Sequence, residues 1–236
     1  MTSMGEPSGY DRQFYADRSE RTAPSARRIL GIVRDHIPFR SVADFGCGTG
    51  TWLAVALRDY GAERAIGFEG DWMQPEWLDD PLIQLHSHDL EQAARPGQVD
   101  LAVSLEVAKH LSPGRAESFV SDLCQAAPAV LFGAAIPGQG GVGHVNEQWQ
   151  SYWAELFAVQ GYKCSDAVRP LVWDEKELPY WYRQNILLYS KNALEAPSPA
   201  ILNLVHPDKW DEERSVPLST RVRYAAKWKL KNIFKP

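Results

Sequence analysis

The chain is expected to fold as an α/β protein, a doubly wound, seven-stranded and mostly parallel sheet with helices on both faces. Three observations carry this expectation. Short apolar runs alternate with stretches of helical periodicity, as in stacked β-α units. A glycine-rich turn falls between the first such run and the helix after it, and acidic residues stand where the next two runs end.

The elements follow in order. Ser25 to His36 reads as the first helix, with Ile29, Leu30, Ile32, Val33 and Ile37 forming an apolar face and Pro38 ending it. Ser41–Phe45 reads as a buried strand, Gly46 to Gly50 as a tight turn, and Thr51 to Tyr60 as a helix closed by Gly61. Arg64 to Phe68 is a strand that delivers Glu69 to its end, and Leu82 to His86 a strand followed by Asp89 and Leu90. Val99 to Ser104, the helix Arg115 to Gln125 and the strand Pro128 to Ala134 complete five parallel strands. A Gly/Pro-rich loop leads into a helix over Glu147 to Gln160, with Trp149, Trp153, Leu156 and Phe157 on one face. Tyr162 to Ala167 and Asn185 to Ser190 read as the last two strands.

Length and composition suit one domain with an appendage: 236 residues, 44% hydrophobic and 23% charged. Domain boundaries are placed at 25–192, with a C-terminal extension over 193–236. Within that extension, Val222, Ala226, Leu230 and Ile233 at helical spacing amid lysines and arginines give a basic amphipathic helix. It is a candidate for a membrane surface, a protein partner or packing on the domain. No apolar run approaches the roughly 20 residues of a bilayer span and no apolar leader opens the chain, so a cytoplasmic protein is expected. Cys47, Cys124 and Cys164 are scattered and read as free thiols. A net charge of −5 argues against a nucleic-acid-covered surface. No compact His/Asp pattern calls for a metal.

The strongest local signal is Val42-Ala43-Asp44-Phe45-Gly46-Cys47-Gly48-Thr49-Gly50, a strand running into G-x-G-x-G before a helix. Such glycines accept positive φ and let a ligand approach the backbone at a helix N-terminus. In a dinucleotide fingerprint the third glycine would stand at Thr51, which weakens an NAD reading.

From Val42 to Ser190 the chain resembles the class I S-adenosylmethionine-dependent methyltransferases, which are Rossmann-like, and whose first motif is commonly D-x-G-C-G-T-G. The resemblance implies S-adenosylmethionine as cofactor and S-adenosylhomocysteine as product. It places Gly46 and Gly48 at the methionine portion, Gly50 in the close-held loop and Asp44 as organiser of the turn. Glu69, followed by Gly70, takes the position that receives both ribose hydroxyls. Asp89 takes the adenine amino group, with Leu90 beside the ring. Ser104 opens a segment, Ser-Leu-Glu-Val-Ala-Lys-His-Leu, that resembles the family's stretch after the fourth strand and borders the cofactor; the family usually has glutamate where Lys109 stands. Residues 1–24 look like an N-terminal lid, with Phe14 and Tyr15 closing over the donor or latching the terminus to the body.

For the chemistry, His144 and His110 are both candidates for a general base, each with a structural alternative, and Glu106 is a substrate contact or a helix N-terminal carboxylate. Gly143 to Trp149 and Trp181 to Asn185 resemble bacterial methyltransferases of sugar-decorating and secondary-metabolite pathways. The expected function is therefore O-methylation of a small metabolite or sugar, with a homodimer possible. Alternatives are N-methylation, methylation of RNA or protein, and a non-catalytic module that binds the donor.

Overall fold

The computed structural model describes residues 12–192, 194 and 201–209, with side chains from residue 22 onward. Seven strands form one sheet in the order β3-β2-β1-β4-β5-β7-β6. These are β1 (Ser41–Phe45), β2 (Arg64–Glu69), β3 (Gln84–Ser87), β4 (Leu101–Leu105), β5 (Ala129–Gly133), β6 (Lys163–Ser165) and β7 (Leu187–Ser190). The first five pair in parallel, whereas β7 runs antiparallel to both β5 and β6. The chain order reverses at β1, whose neighbours are β2 and β4; in such sheets this switch point opens a crevice at the strands' C-terminal ends.

The strands read as continuous apolar runs because both faces are buried. Alternate residues enter two cores. On one face Val42, Leu101, Val103, Leu131 and Leu188 meet α1 (Arg12–His36) and α2 (Thr51–Tyr60). On the other, Ala43, Phe45, Ala102, Val130, Phe132 and Tyr189 meet α3 (Ala116–Ala126) and α4 (Gln150–Val159). In this second core Phe157 stacks on Tyr189 with ring centroids 3.9 Å apart, and Phe132 meets Trp153 at 5.1 Å.

Several elements differ from the sequence reading. Helix α1 begins by Arg12 and carries Pro24 inside it, so Ser25 is a fully buried helix residue rather than a start signal. A proline removes only its own N–H, and the turns after it are held by the apolar face on α2. Strand β3 starts at Gln84 because Leu82 is 71% exposed and contributes nothing to either core. Helix α4 starts at Gln150, leaving Trp149 39% exposed at its N-cap rather than on the buried face with Trp153 and Phe157. Two short helices, α5 (Arg169–Val172) and α6 (Tyr180–Asn185), lie where no helix was expected, and Asn185, expected to open the last strand, ends α6.

Beyond β7, the Arg169 guanidinium is held bidentately by Asp166 and donates to the Leu202 and Ile201 carbonyls, and Asn203 accepts the Ser151 N–H at 2.9 Å. These bonds carry the first compact unit to Leu204. The second begins at Val205; in its described part, His206 Nδ1 accepts the Asp208 N–H at 3.1 Å. The expected basic helix, Arg221 to Lys235, lies outside the described residues. No described helix is long and apolar enough to cross a membrane.

Phe157 is fully buried between Tyr189, Tyr162 and Phe132. Phe157→Ala should therefore lower the unfolding free energy by about 3–5 kcal/mol in denaturant titration; a loss under about 1 kcal/mol would contradict the packing described.

Candidate active site

The glycine turn sits at the switch point, between the end of β1 and the start of α2. Gly46, Gly48 and Gly50 have φ of 89°, 53° and 76°, so all three occupy the left-handed region open to glycine. Two of them are also required by packing: a Cβ on Gly46 would stand 2.3 Å from Val107 Cγ2, and one on Gly50 2.6 Å from Ile83 Cδ1. Strand β2 holds the turn. The Phe68 carbonyl accepts the N–H groups of Gly46 and Cys47 at 2.9 and 3.1 Å, and Glu69 Oε2 accepts the Gly48 N–H at 2.8 Å. No side chain caps α2, whose first N–H groups open at the turn.

Two acids meet this backbone. Glu69 Oε1 also accepts the Gly70 N–H at 3.0 Å. Asp44 is 3% exposed and, among the described residues, no hydrogen-bond partner is found for it. Burial, reinforced by the charge of Glu69, pushes its carboxyl up to about 8, so it carries a proton at neutral pH. The same surroundings push the Cys47 thiol far up and keep it inert.

The other residues expected at the cofactor are distributed unevenly. Leu90 is buried, while Asp89 is exposed and its Oδ1 accepts the Glu91 N–H at 3.0 Å, closing a local turn. Ser104 is fully buried with its hydroxyl on the Phe45 carbonyl at 3.2 Å, so it braces β4 against β1 from inside the sheet and leaves no surface for a ligand. The Tyr15 side chain lies outside those described. Sequence reasoning overlooked Trp72, whose ring covers Gly70 so closely that a Cβ there would lie 2.1 Å from it. An aromatic residue three positions after the β2 acid was the available signal.

Past β4 the chain takes an unusual conformation. Glu106 has φ +63°, alone among described non-glycine residues, a left-handed geometry that costs on the order of 1–3 kcal/mol. It turns Val107 onto Gly46 and directs its own carboxylate inward, where Oε2 accepts from Lys109 Nζ at 2.6 Å and Oε1 from Asn185 Nδ2 at 2.9 Å. Only 8% of the Glu106 side chain is exposed. It heads no α-helix, and both oxygens are engaged, which corrects its reading as a helix-capping carboxylate.

The two histidines come together. Their rings meet edge to face at 5.1 Å. His110 Nδ1 faces the Gly143 carbonyl at 3.2 Å, and burial together with the Lys109 ammonium pushes its imidazole down to about 4, so it is neutral. His144 Nδ1 lies 2.7 Å from Glu147 Oε1. Burial would raise Glu147, but His144 and the N–H groups of Gly138 and Gly140 hold its carboxyl below the usual range. The Nδ1–carboxylate contact leaves Nε2 as the lone-pair nitrogen of neutral His144. That nitrogen rests on Gly141, where a Cβ would stand 2.4 Å away. The Glu147 partnership, three residues after His144, was readable as a spacing but not as a contact.

Among the described residues no three His, Cys, Asp or Glu side chains are grouped to hold a metal. Two cavities, of about 330 and 240 Å³, lie elsewhere: one lined by Tyr162, Cys124 and Lys191, the other by Arg27, Arg58 and Asp79. Neither is lined by the glycine turn, Glu69 or Glu106; the convergence of polar groups, not cavity size, marks the site.

No protein-family model and no curated protein sequence matches the chain. Solved structures do share its fold. Magnesium protoporphyrin IX methyltransferase from Synechocystis PCC 6803 with bound SAH is 16% identical at a TM-score of 0.51, over 80% of this chain and 90% of that one. Human N-acetylserotonin methyltransferase in complex with SAM is 13% identical at 0.53, over 77% and 56%. An O-methyltransferase family protein from Burkholderia thailandensis is 12% identical at 0.53, over 77% and 60%. The chain thus has the Rossmann-like fold of the class I S-adenosylmethionine-dependent methyltransferases.

The raised Asp44 carboxyl sets the sign of a pH effect. The folded state keeps a proton that the unfolded chain releases near pH 4, so stability falls as pH rises toward about 8 and levels above it. Asp44→Asn should remove this slope, gaining on the wild type by up to about 1.4 kcal/mol per pH unit across that window. Parallel stability curves for the two proteins from pH 5 to 8 would place Asp44 in an ordinary carboxylate environment.

Proposed function

We propose that the chain is an S-adenosylmethionine-dependent methyltransferase acting on an oxygen of a small metabolite or sugar, with His144 as general base. The observation that carries this reading is the pair of carboxyl groups on the glycine turn: Asp44, buried without a partner among the described residues, and Glu69, bonded to Gly48. A dinucleotide brings phosphates to such a turn, and a buried carboxyl that is protonated at rest gains nothing from an anion, whereas a cation favours its ionised form. A ligand with a cationic end and a vicinal diol suits both acids. Ionised Asp44 stabilises the cation, and the Glu69 carboxylate accepts the two hydroxyls.

When bound, S-adenosylmethionine supplies a methyl group already activated on a sulfonium. The protein's work is then alignment and proton removal. The carboxylate of Glu147 fixes the His144 ring so that Nε2 can take the proton of an acceptor hydroxyl. The loop carrying Gly141 lies against Nε2, so access to the base requires that loop to shift. His110 positions the loop through Gly143 rather than serving as base, because a group held at about 4 is a weak proton acceptor at neutral pH. Trp72 and Leu90 flank the donor's aromatic ring.

Glu69→Ala should weaken S-adenosylhomocysteine binding tenfold or more in equilibrium titration, since two charge-assisted bonds to the diol are lost; unchanged affinity would remove Glu69 from the donor site. With labelled S-adenosylmethionine and a panel of sugars and phenols, His144→Ala should cut methyl incorporation by about 10²-fold or more without changing donor affinity. Equal turnover in variant and wild type would take His144 out of the base role.

A further inference from the structure

Glu147 stands between the candidate base and the loop that covers it. Its Oε2 accepts the Gly138 N–H at 2.9 Å, while its Oε1 accepts the Gly140 N–H at 2.8 Å and lies 2.7 Å from His144 Nδ1. One oxygen thus serves both the loop and the imidazole. The next residue, Gly141, lies against the opposite end of that imidazole: a Cβ there would stand 2.4 Å from Nε2 and 2.6 Å from Cε1. Only 8% of the His144 side chain is exposed. Two consecutive residues therefore hold the two ends of one ring, Gly140 through the shared carboxylate and Gly141 by direct cover.

The covering segment is bounded by fixed ends. Before it, Gln139 Oε1 accepts from Asn185 Nδ2, Gln184 Nε2 and the Ile136 N–H at 3.1, 3.2 and 3.3 Å. After it, the Lys109 carbonyl accepts the N–H groups of Val145 and Asn146 at 2.9 and 3.0 Å. Between these anchors residues 140–143 are all exposed, and Gly140, Gly141 and Gly143 have φ of 75°, 146° and 74°. The titratable groups around His144 are Glu147, His110, whose ring meets it edge to face, and Lys109 and Glu106, which pair with each other and act on His110. Of their side chains, those of Glu147 and His110 bond the loop. A carboxylate shared among several donors holds each less strongly than one left to a single partner. Releasing Gly140 leaves Oε1 to His144, and a carboxylate with fewer neutral donors on it favours the charged imidazolium more.

We propose that residues 140–143 form a flap latched by Glu147, and that one movement of this flap both uncovers Nε2 of His144 and makes that nitrogen a stronger base. An acceptor that lifts the flap gains access and a more basic imidazole together. With the flap down, the ring is covered and its carboxylate is shared with the loop. The proposal rests on the methyl-transfer reading for the role of His144 as base, while the latch itself stands on the bonds of Glu147. Glu147 is a positioning residue in this account, acting through His144.

The test uses the full chain and two readouts of His144 that need no acceptor. One is its rate of carbethoxylation by diethyl pyrocarbonate at pH 8, read by mass spectrometry of the peptide that carries it. The other is its titration midpoint by NMR, assigned with His144→Ala. Gly140→Pro removes the latching N–H and cannot adopt φ +75°, and a Cβ at Gly140 meets nothing within 4 Å, so no side-chain clash enters. It should speed carbethoxylation of His144 by about tenfold or more and raise the midpoint by about half a pH unit or more. Glu147→Gln should also speed carbethoxylation but lower the midpoint, because the flap opens while the charge beside the ring is gone. These opposite shifts separate a latch from a loop that merely packs on the ring. Gly140→Ala, strained at the same φ but keeping its N–H, gives a second flap variant with smaller changes in the same direction should Gly140→Pro fail to fold. Wild-type His144 reacting as fast as in the flap variants, or a midpoint that stays or falls in them, would overturn the proposal. Failure of S-adenosylhomocysteine to bind would instead strike the donor reading, and both readouts, taken without donor, would still report on the latch.

Discussion

Strand β2 ends by gripping the glycine turn: one carbonyl, that of Phe68, takes two successive N–H groups, and one carboxylate, that of Glu69, takes the third. These bonds fix a backbone segment whose left-handed glycines have no side chains to anchor them. They also decide where charge lies. By drawing Glu69 onto Gly48, the turn holds a carboxylate close to buried Asp44, and the two cannot easily ionise together. The result is a turn whose buried carboxyl holds a proton at rest and would release it to a neighbouring cation.

The same turn links the two halves of the site. Val107 seats against Gly46 only because Glu106 adopts a left-handed conformation, and that conformation also drives the Glu106 carboxylate into Lys109 and Asn185. Backbone strain at one residue thus joins the glycine turn to the polar cluster between β5 and β7. On the far side of Lys109, its carbonyl accepts the N–H groups of Val145 and Asn146, which places the His144 loop against the same segment. Gln150 extends the linkage, donating to the Gln184 and Leu204 carbonyls. The glycine turn, the polar cluster around Glu106 and the His144 loop are therefore one connected structure rather than three adjacent features.

Where local rules decide the conformation, the sequence was readable almost to the residue: β1 at Ser41–Phe45 and α2 at Thr51–Tyr60 coincide with their expected spans, because an apolar run, a glycine turn and Gly61 bound them. Asp44 and Glu69, named by the resemblance to the family, both lie at the glycine turn in the structure. Edges decided by tertiary packing were not readable. Leu82 looks like a strand residue and points to solvent; Trp149 fits a helical stripe but precedes the helix; α5 and α6 are too short to show a period. Ser104 lies at the right place in sequence and faces the wrong way, since a strand's alternation sends it to the interior. The strained Glu106 and the direction of the bonds around Gln139 depend on contacts 45 to 79 residues apart, information that spacing does not contain.

The central claim is that a cation binds beside Asp44. It is tested most directly by calorimetric titration of S-adenosylmethionine at neutral pH in two buffers of different ionisation enthalpy, with NAD as control. If the account holds, the sulfonium ligand binds with release of a proton, Asp44→Asn abolishes that release, and NAD does not bind. Binding without proton exchange, equal binding of NAD, or no binding of S-adenosylmethionine would contradict it.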